Sequence, residues 1–210
     1  MFHARSRLIT GVLAISLASA CSTDETSSQT YAWPSSQEIA ELWVDAELGD
    51  ANAQYLLATI HEEGRGVPQD DDEALRWYFL AAEQGDVSAQ LVLGFKYEYG
   101  FDLLPHDDAE AMRWYRLAAE QGDPLGQRYL GSMYAEGRGV AKNSQHAYMW
   151  ITVAASIEAQ LEYINEDDTG SALQDRSLVE TDLTPEQRAV AQAKATHCFA
   201  SNFTDCGEPE

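Results

Sequence analysis

Apolar residues return at helical spacing along the middle of the chain, and polar punctuation separates the runs. Ala53, Leu56, Leu57 and Ile60 lie three or four apart and predict a helix from Asp50 to Glu63. Ala74, Leu75, Trp77, Tyr78, Ala81 and Ala82 predict a second helix from Asp71 to Gln84. Gly64, Gly66 and Pro68 mark the turn between them. Gly85 and Asp86 end one helix and start the next. Glycine just past a helix can take the left-handed conformation that closes the last turn. Aspartate caps a helix start, and its charge suits the positive end of the dipole. Asp123 followed by Pro124 repeats the signal, with proline where a missing N–H costs nothing.

The pattern recurs. The run from Ala81 to Asp86 returns unchanged from Ala118 to Asp123, 37 residues on. Leu48, Gly49 and Asp50 form a shorter echo 36 residues before Asp86. Trp77, Trp114 and Trp150 keep the same step, as do Tyr78, Tyr115 and Ile151. So do Ala74, Ala111 and Ala147, and Gly64, Gly100 and Gly137. Such a period predicts an all-α solenoid of αα-hairpins, each burying its apolar face against its neighbours. The repeated Trp-Tyr pairs read as packing between layers rather than as three ligand sites.

Three stretches carry a resemblance to a known family: Ala53-Gln54, Gly64-Arg65-Gly66-Val67, and Ala74 through Asp86. The second unit repeats it at Ala89-Gln90 and from Ala111 to Asp123. The third does so at Gln127, Gly137-Arg138-Gly139-Val140, and from Ala147 to Ala155. This pattern resembles the Sel1-like repeat, a relative of the tetratricopeptide repeat. It implies a right-handed superhelix and an adaptor or regulatory role, with another protein as partner. The second unit departs from the pattern at Gly100-Phe101-Asp102-Leu103-Leu104, which is one residue longer. These apolar residues are either a contact point or fold back onto the stack.

Residues 1–20 read as a signal peptide: Arg5 and Arg7 precede an apolar run from Leu8 to Leu17, too short for a permanent span. Ala18-Ser19-Ala20-Cys21 has two readings, an ordinary secretory cleavage site or a bacterial lipobox with Cys21 lipidated. The cysteine count favours the second. Exported proteins tend to pair their thiols, and Cys198 and Cys206 can pair, which leaves Cys21 over. Ser22 after the cysteine favours the outer membrane over the inner. Residues 21–34 read as a lipid-anchored tether, poor in residues to bury. The expected location is the cell envelope, facing the periplasm. Membrane contact would come through the N-terminal lipid alone.

Residues 35–157 form the predicted solenoid, about three full repeats opened by a capping box at Ser35 to Glu38 and a lone helix ending at Gly49. Residues 158–210 form the predicted C-terminal cap. There an acidic loop from Asn165 to Ser171 precedes a short helix from Ala172 to Glu180. A second capping box at Thr184 to Gln187 opens a helix to Cys198. The two helices read as a degenerate fourth pair, and the Cys198–Cys206 tail as disulfide-linked, worth roughly 2–3 kcal/mol on the loop-entropy account.

The chain carries 13 basic and 35 acidic side chains, a net charge of −22. Loss of residues 1–20 removes Arg5 and Arg7 and no acid, so what remains is more acidic still. Such a surface repels nucleic acid and anionic headgroups. It serves solubility, or a basic partner.

No catalytic constellation emerges. His61-Glu62-Glu63 lacks a second zinc-binding histidine. No serine stands three before a lysine, and no phosphate loop is present. Asp70-Asp71-Asp72 lacks the spaced ligands of a calcium loop and sits where a helix start wants aspartate. His61 shares its repeat position with Tyr97 and Tyr134, which points to packing. No metal or cofactor is expected.

The expected function is that of a non-enzymatic, monomeric interaction scaffold or adaptor. The alternative is β-lactam binding or hydrolysis. Relatives with that association carry a cysteine pair in every repeat, and this chain has none inside its repeats. The candidate binding face is the surface of each unit's first helix: Asn52, Thr59, Glu63, Ser88, Lys96, Tyr99, Arg128, Ser132 and Glu136, with Phe101 and Leu103 from the odd loop. A groove of acids and aromatics suits a basic or amphipathic segment.

Overall fold

The computed structural model describes residues 35–101, 103–160 and 171–206. The expected signal segment, the tether with Cys21, and all but the last residue of the loop from Asn165 to Ser171 lie outside them. The described residues form helices α1 (Ser36–Glu47), α2 (Ala51–Glu63), α3 (Asp71–Glu83), α4 (Val87–Tyr99), α5 (Asp108–Glu120), α6 (Pro124–Glu136), α7 (Ser144–Gln160), α8 (Ala172–Glu180) and α9 (Pro185–Ala200). Among these residues there is no strand. Each helix from α1 to α7 packs on the next, as stacked hairpins require.

The Gly-Asp punctuation works atom by atom. At φ 94° Gly85 reverses the chain, where a side chain would be strained. Its N–H donates to Ala82 O at 3.0 Å, and the Asp86 N–H donates to Ala81 O at 3.0 Å. The Asp86 carboxylate then accepts from the Ala89 N–H at 2.8 Å, capping α4. One residue therefore closes α3 and opens α4. Asp50 and Asp123 do the same at the two sister junctions.

The turn inside each hairpin is closed by one backbone bond. Asp70, Asp107 and Asn143 donate to the carbonyls of His61, Tyr97 and Tyr134 at 3.0, 2.9 and 2.8 Å. The extra residue of the middle unit is taken up between these fixed ends, where the Leu104 N–H turns back to Phe101 O.

The core has two clusters, and α5 serves both. Trp114 belongs with Trp77, Tyr78, Leu57 and Leu93 of the first units. Met112 and Tyr115, on the other side of α5, belong with Leu130, Met133, Trp150 and Ala195. At the open N-terminal end Trp43 meets Trp77 edge-on at 5.4 Å and His61 at 5.8 Å.

A ladder of glutamines, three of them buried, ties the units together. Gln54, Gln90 and Gln127 donate to the carbonyls of Ala46, Ala82 and Ala119 at 3.0 to 3.2 Å. Gln84 and Gln121 donate in turn to Gln54 and Gln90. In the third unit the donor's place is held by Ile157, so the side-chain oxygen of Gln127 is buried without a partner. The ladder stops where the repeats stop.

The C-terminal pair differs from a repeat hairpin. α8 lies against α6 and α7, continuing the row of first helices, while α9 lies along α7. The tail returns past Cys198 and lays Phe203 on Gly122, so closely that a Cβ there would stand 2.5 Å from the ring. Cys198 and Cys206 stand in disulfide position, their Cα atoms 4.3 Å apart. Protein from an oxidising compartment should show no alkylatable thiol at either residue until reduced. Two thiols free without reductant, read by intact mass, would refute the bridge.

Candidate partner-binding face

The first helices α2, α4 and α6, with α8 beside them, present one continuous face. In the first two units its floor is polar and built the same way twice. Glu62 accepts from the Tyr78 hydroxyl at 2.6 Å and from Lys96 at 2.5 Å. Glu98 accepts from the Tyr115 hydroxyl at 2.7 Å and from Arg138 at 2.5 Å. Burial first, and the carboxylate second, push both phenols well above their usual range. Each phenol is thereby kept as a donor. In the third unit Ala135 replaces the glutamate and Ile151 the tyrosine, so both halves of the pair are apolar.

Two adjoining cavities open on this face and share Tyr129. One, about 490 Å³, is lined by Glu62, Leu91, Val92, Phe95, Phe101 and Leu125, among others. The other, about 370 Å³, lies between α6 and α8 over Ala135, Ile151 and Val179, with Arg128, Glu136 and Asp175 at its edge. Beside the first, Phe95, Tyr99 and Phe101 form a cluster of rings, with Phe95 and Phe101 stacked at 5.6 Å. All three are exposed, as are Leu103, Leu125 and Tyr129.

The expected face residues divide. Tyr99, Phe101 and Leu103 point to solvent, while Leu104 folds back onto the first core cluster. Of the odd loop, Leu104 thus folds back onto the stack, and Phe101 and Leu103 stay exposed. Asn52, Ser88 and Glu136 are exposed, and Glu63 is exposed and paired with Arg65. Thr59 is half-buried and donates to Tyr55 O at 3.1 Å. Ser132 donates to Glu136 at 3.3 Å. Lys96 is buried: it occupies the repeat position of Ile60 and Met133. Arg128 is largely covered and bound to Asp175 at 3.1 Å.

The expected face includes Arg128, Ser132 and Glu136 of the second cavity's lining but omits Phe95, Leu125 and Tyr129, and Ala135, Ile151, Asp175, Leu178 and Val179 around that cavity. A signal for Phe95 was present. It stands at the repeat position of Thr59 and Ser132, which were placed on this face. Among the described residues no group of histidine, cysteine, aspartate or glutamate is placed to hold a metal ion.

The Sel1 repeat model matches residues 51–86, 87–123 and 124–156, which is half of the chain. The chain belongs to the Sel1 repeat family. It is similar to a Sel1 repeat protein from Oxalobacter formigenes at 33% identity, over 67% of this chain and 98% of that one, with a TM-score of 0.59. It is also similar to a protective antigen of uropathogenic Escherichia coli strains displaying an SLR fold. There the identity is 20%, over 81% of this chain and 50% of that one, with a TM-score of 0.41. The matched units begin at α2, α4 and α6, so the boundaries fall on the shared aspartates. Sel1 repeats generally mediate protein–protein interaction, and the scaffold is typically non-catalytic.

Proposed function

We propose that this Sel1 repeat protein is an adaptor of the bacterial cell envelope that holds a segment of another protein on its first-helix face. The ring cluster of Phe95, Tyr99 and Phe101 carries the reading. These aromatics are exposed together, and clustered aromatic anchors tend to dominate protein interfaces. The segment is basic or amphipathic, matching a chain of net charge −22. Crosslinking followed by mass spectrometry identifies the partner. Phe101→Ser/Leu103→Ser should then weaken capture at least about tenfold while the melting temperature stays unchanged. Equal affinity would remove the ring cluster from the interface.

The envelope location rests on the pattern of residues 1–21 and on the placement of Cys198 against Cys206, which leaves Cys21 as the odd thiol. Lipidation of Cys21 would supply the anchor. Among the described residues no helix is long and apolar enough to cross a membrane. Cys21→Ser should move the protein from the detergent phase to the aqueous phase. Identical partitioning of the two forms would discard the anchor.

A further inference from the structure

The third unit breaks the polar floor of the face and makes it apolar. Where Glu62 and Tyr78, then Glu98 and Tyr115, place a carboxylate and a phenol, it has Ala135 and Ile151. Both line the cavity of about 370 Å³ between α6 and α8. Its depth is apolar, with Ala135, Ile151 and Val179, and the exposed Leu178 stands at its mouth. Its rim is charged, and the charge has a direction. The Arg128 side chain is 16% exposed and its partner Asp175 is 36% exposed. The neighbouring cavity repeats this, with Lys96 at 7% and Glu62 at 34%. In both pairs the cation is turned inward and the carboxylate outward. Glu136 is the more open partner of Arg138 as well. Solvent therefore meets carboxylates around an apolar opening.

We infer that this cavity is the specificity subsite of the face: it takes one large apolar side chain from a basic segment of the partner protein. Lysine or arginine residues beside that side chain meet Asp175 and Glu136 at the rim. The inference rests on the interaction reading above and adds to it which side chain is selected, and where. The net charge of −22 argues against a second copy of this chain as occupant, since two such copies repel. Tyr129, shared by both cavities, connects the subsite to the ring cluster and lets one segment cover both.

The test uses the full chain and three acetylated, amidated pentapeptides: Lys-Lys-Phe-Lys-Lys, the same with alanine for phenylalanine, and the same with glutamate for every lysine. Binding is followed by the methyl and amide NMR signals of Ile151, Val179 and Tyr129. The phenylalanine peptide should shift these signals and bind at least about tenfold more tightly than the alanine peptide, as expected for burying one large apolar side chain. The glutamate peptide should leave them unmoved. Ala135→Phe, which fills the cavity, should abolish the response. Ala135→Leu provides a second filling variant should the larger residue disturb the fold. Equal binding of the phenylalanine and alanine peptides, no response in wild type, or a full response in the filled variants would each overturn the subsite. Signals that shift with protein concentration alone would assign the cavity to a second copy and also overturn it. None of these outcomes decides the wider reading, which stands or falls on Phe101→Ser/Leu103→Ser against the crosslinked partner.

Discussion

Trp114→Ala should lower stability by roughly 3–5 kcal/mol, the most of any single tryptophan truncation in this chain. Trp114 is almost fully buried. It meets Phe79 at 6.0 Å and lies under the Arg113 guanidinium at 3.9 Å. It also sits on the helix that serves both core clusters, so its layer has complete units on either side. A cavity there cannot collapse without moving one stack against the other. Its indole N–H is buried without a partner, and losing that group offsets a little of the cost. Trp43→Ala should cost less. Trp43 is only partly buried, in the terminal half-unit, where a layer can fray. Denaturant midpoints of the two variants give the order, and a reversed order would contradict the layering.

Glu98→Ala should cost about 3 kcal/mol, the low end for breaking a buried pair. The change strands the Tyr115 hydroxyl, which is fully buried, and removes one partner of Arg138. The low end applies because Arg138 is partly exposed and keeps Glu136. The protein contains its own control. Ala135 and Ile151 occupy the same two positions one unit later, next to Gly131, as Glu98 and Tyr115 stand next to Gly94. Glu98→Ala combined with Tyr115→Ile should therefore cost clearly less than the sum of the single changes. The coupling is measured by a double-mutant cycle on denaturant midpoints. Additive costs would mean that the carboxylate and phenol do not act as a unit.

The helices and their order were legible because caps and periodicity act locally. Ser35, Asp86 and Thr184 each announce a helix start that is made in the expected way. The candidate face is only half legible. Residue type alone selects its polar members, and Lys96 shows why type fails. A lysine at a position held elsewhere by Ile60 and Met133 is drawn inward by its place in the layer, and Glu62 makes that burial tolerable. Phe95 fails in the opposite sense, an aromatic exposed where its sisters are Thr59 and Ser132. The apolar lining of the cavity over Ala135 shows only when the three units are set column by column. It differs from the sister floors by alanine for glutamate and isoleucine for tyrosine, and no local propensity registers that change.

The aspartates shared between consecutive helices make the two edges of the stack unequal. At Asp50, Asp86 and Asp123 a single residue terminates one helix and caps the next, so that edge has no spare length. A residue added there would force either the closing bonds or the cap to be given up, and would rotate every later unit against those before it. The opposite edge has slack. The middle unit already carries one additional residue between its fixed ends without displacing the bond from Asp107 to Tyr97. A new recognition element can therefore be inserted at Phe101 with the stack undisturbed, whereas Gly139 lies so close to α5 that even a Cβ would stand 2.5 Å from the Asp108 carbonyl oxygen. In such a chain, added length is tolerated on one side of the molecule, and in the middle unit first.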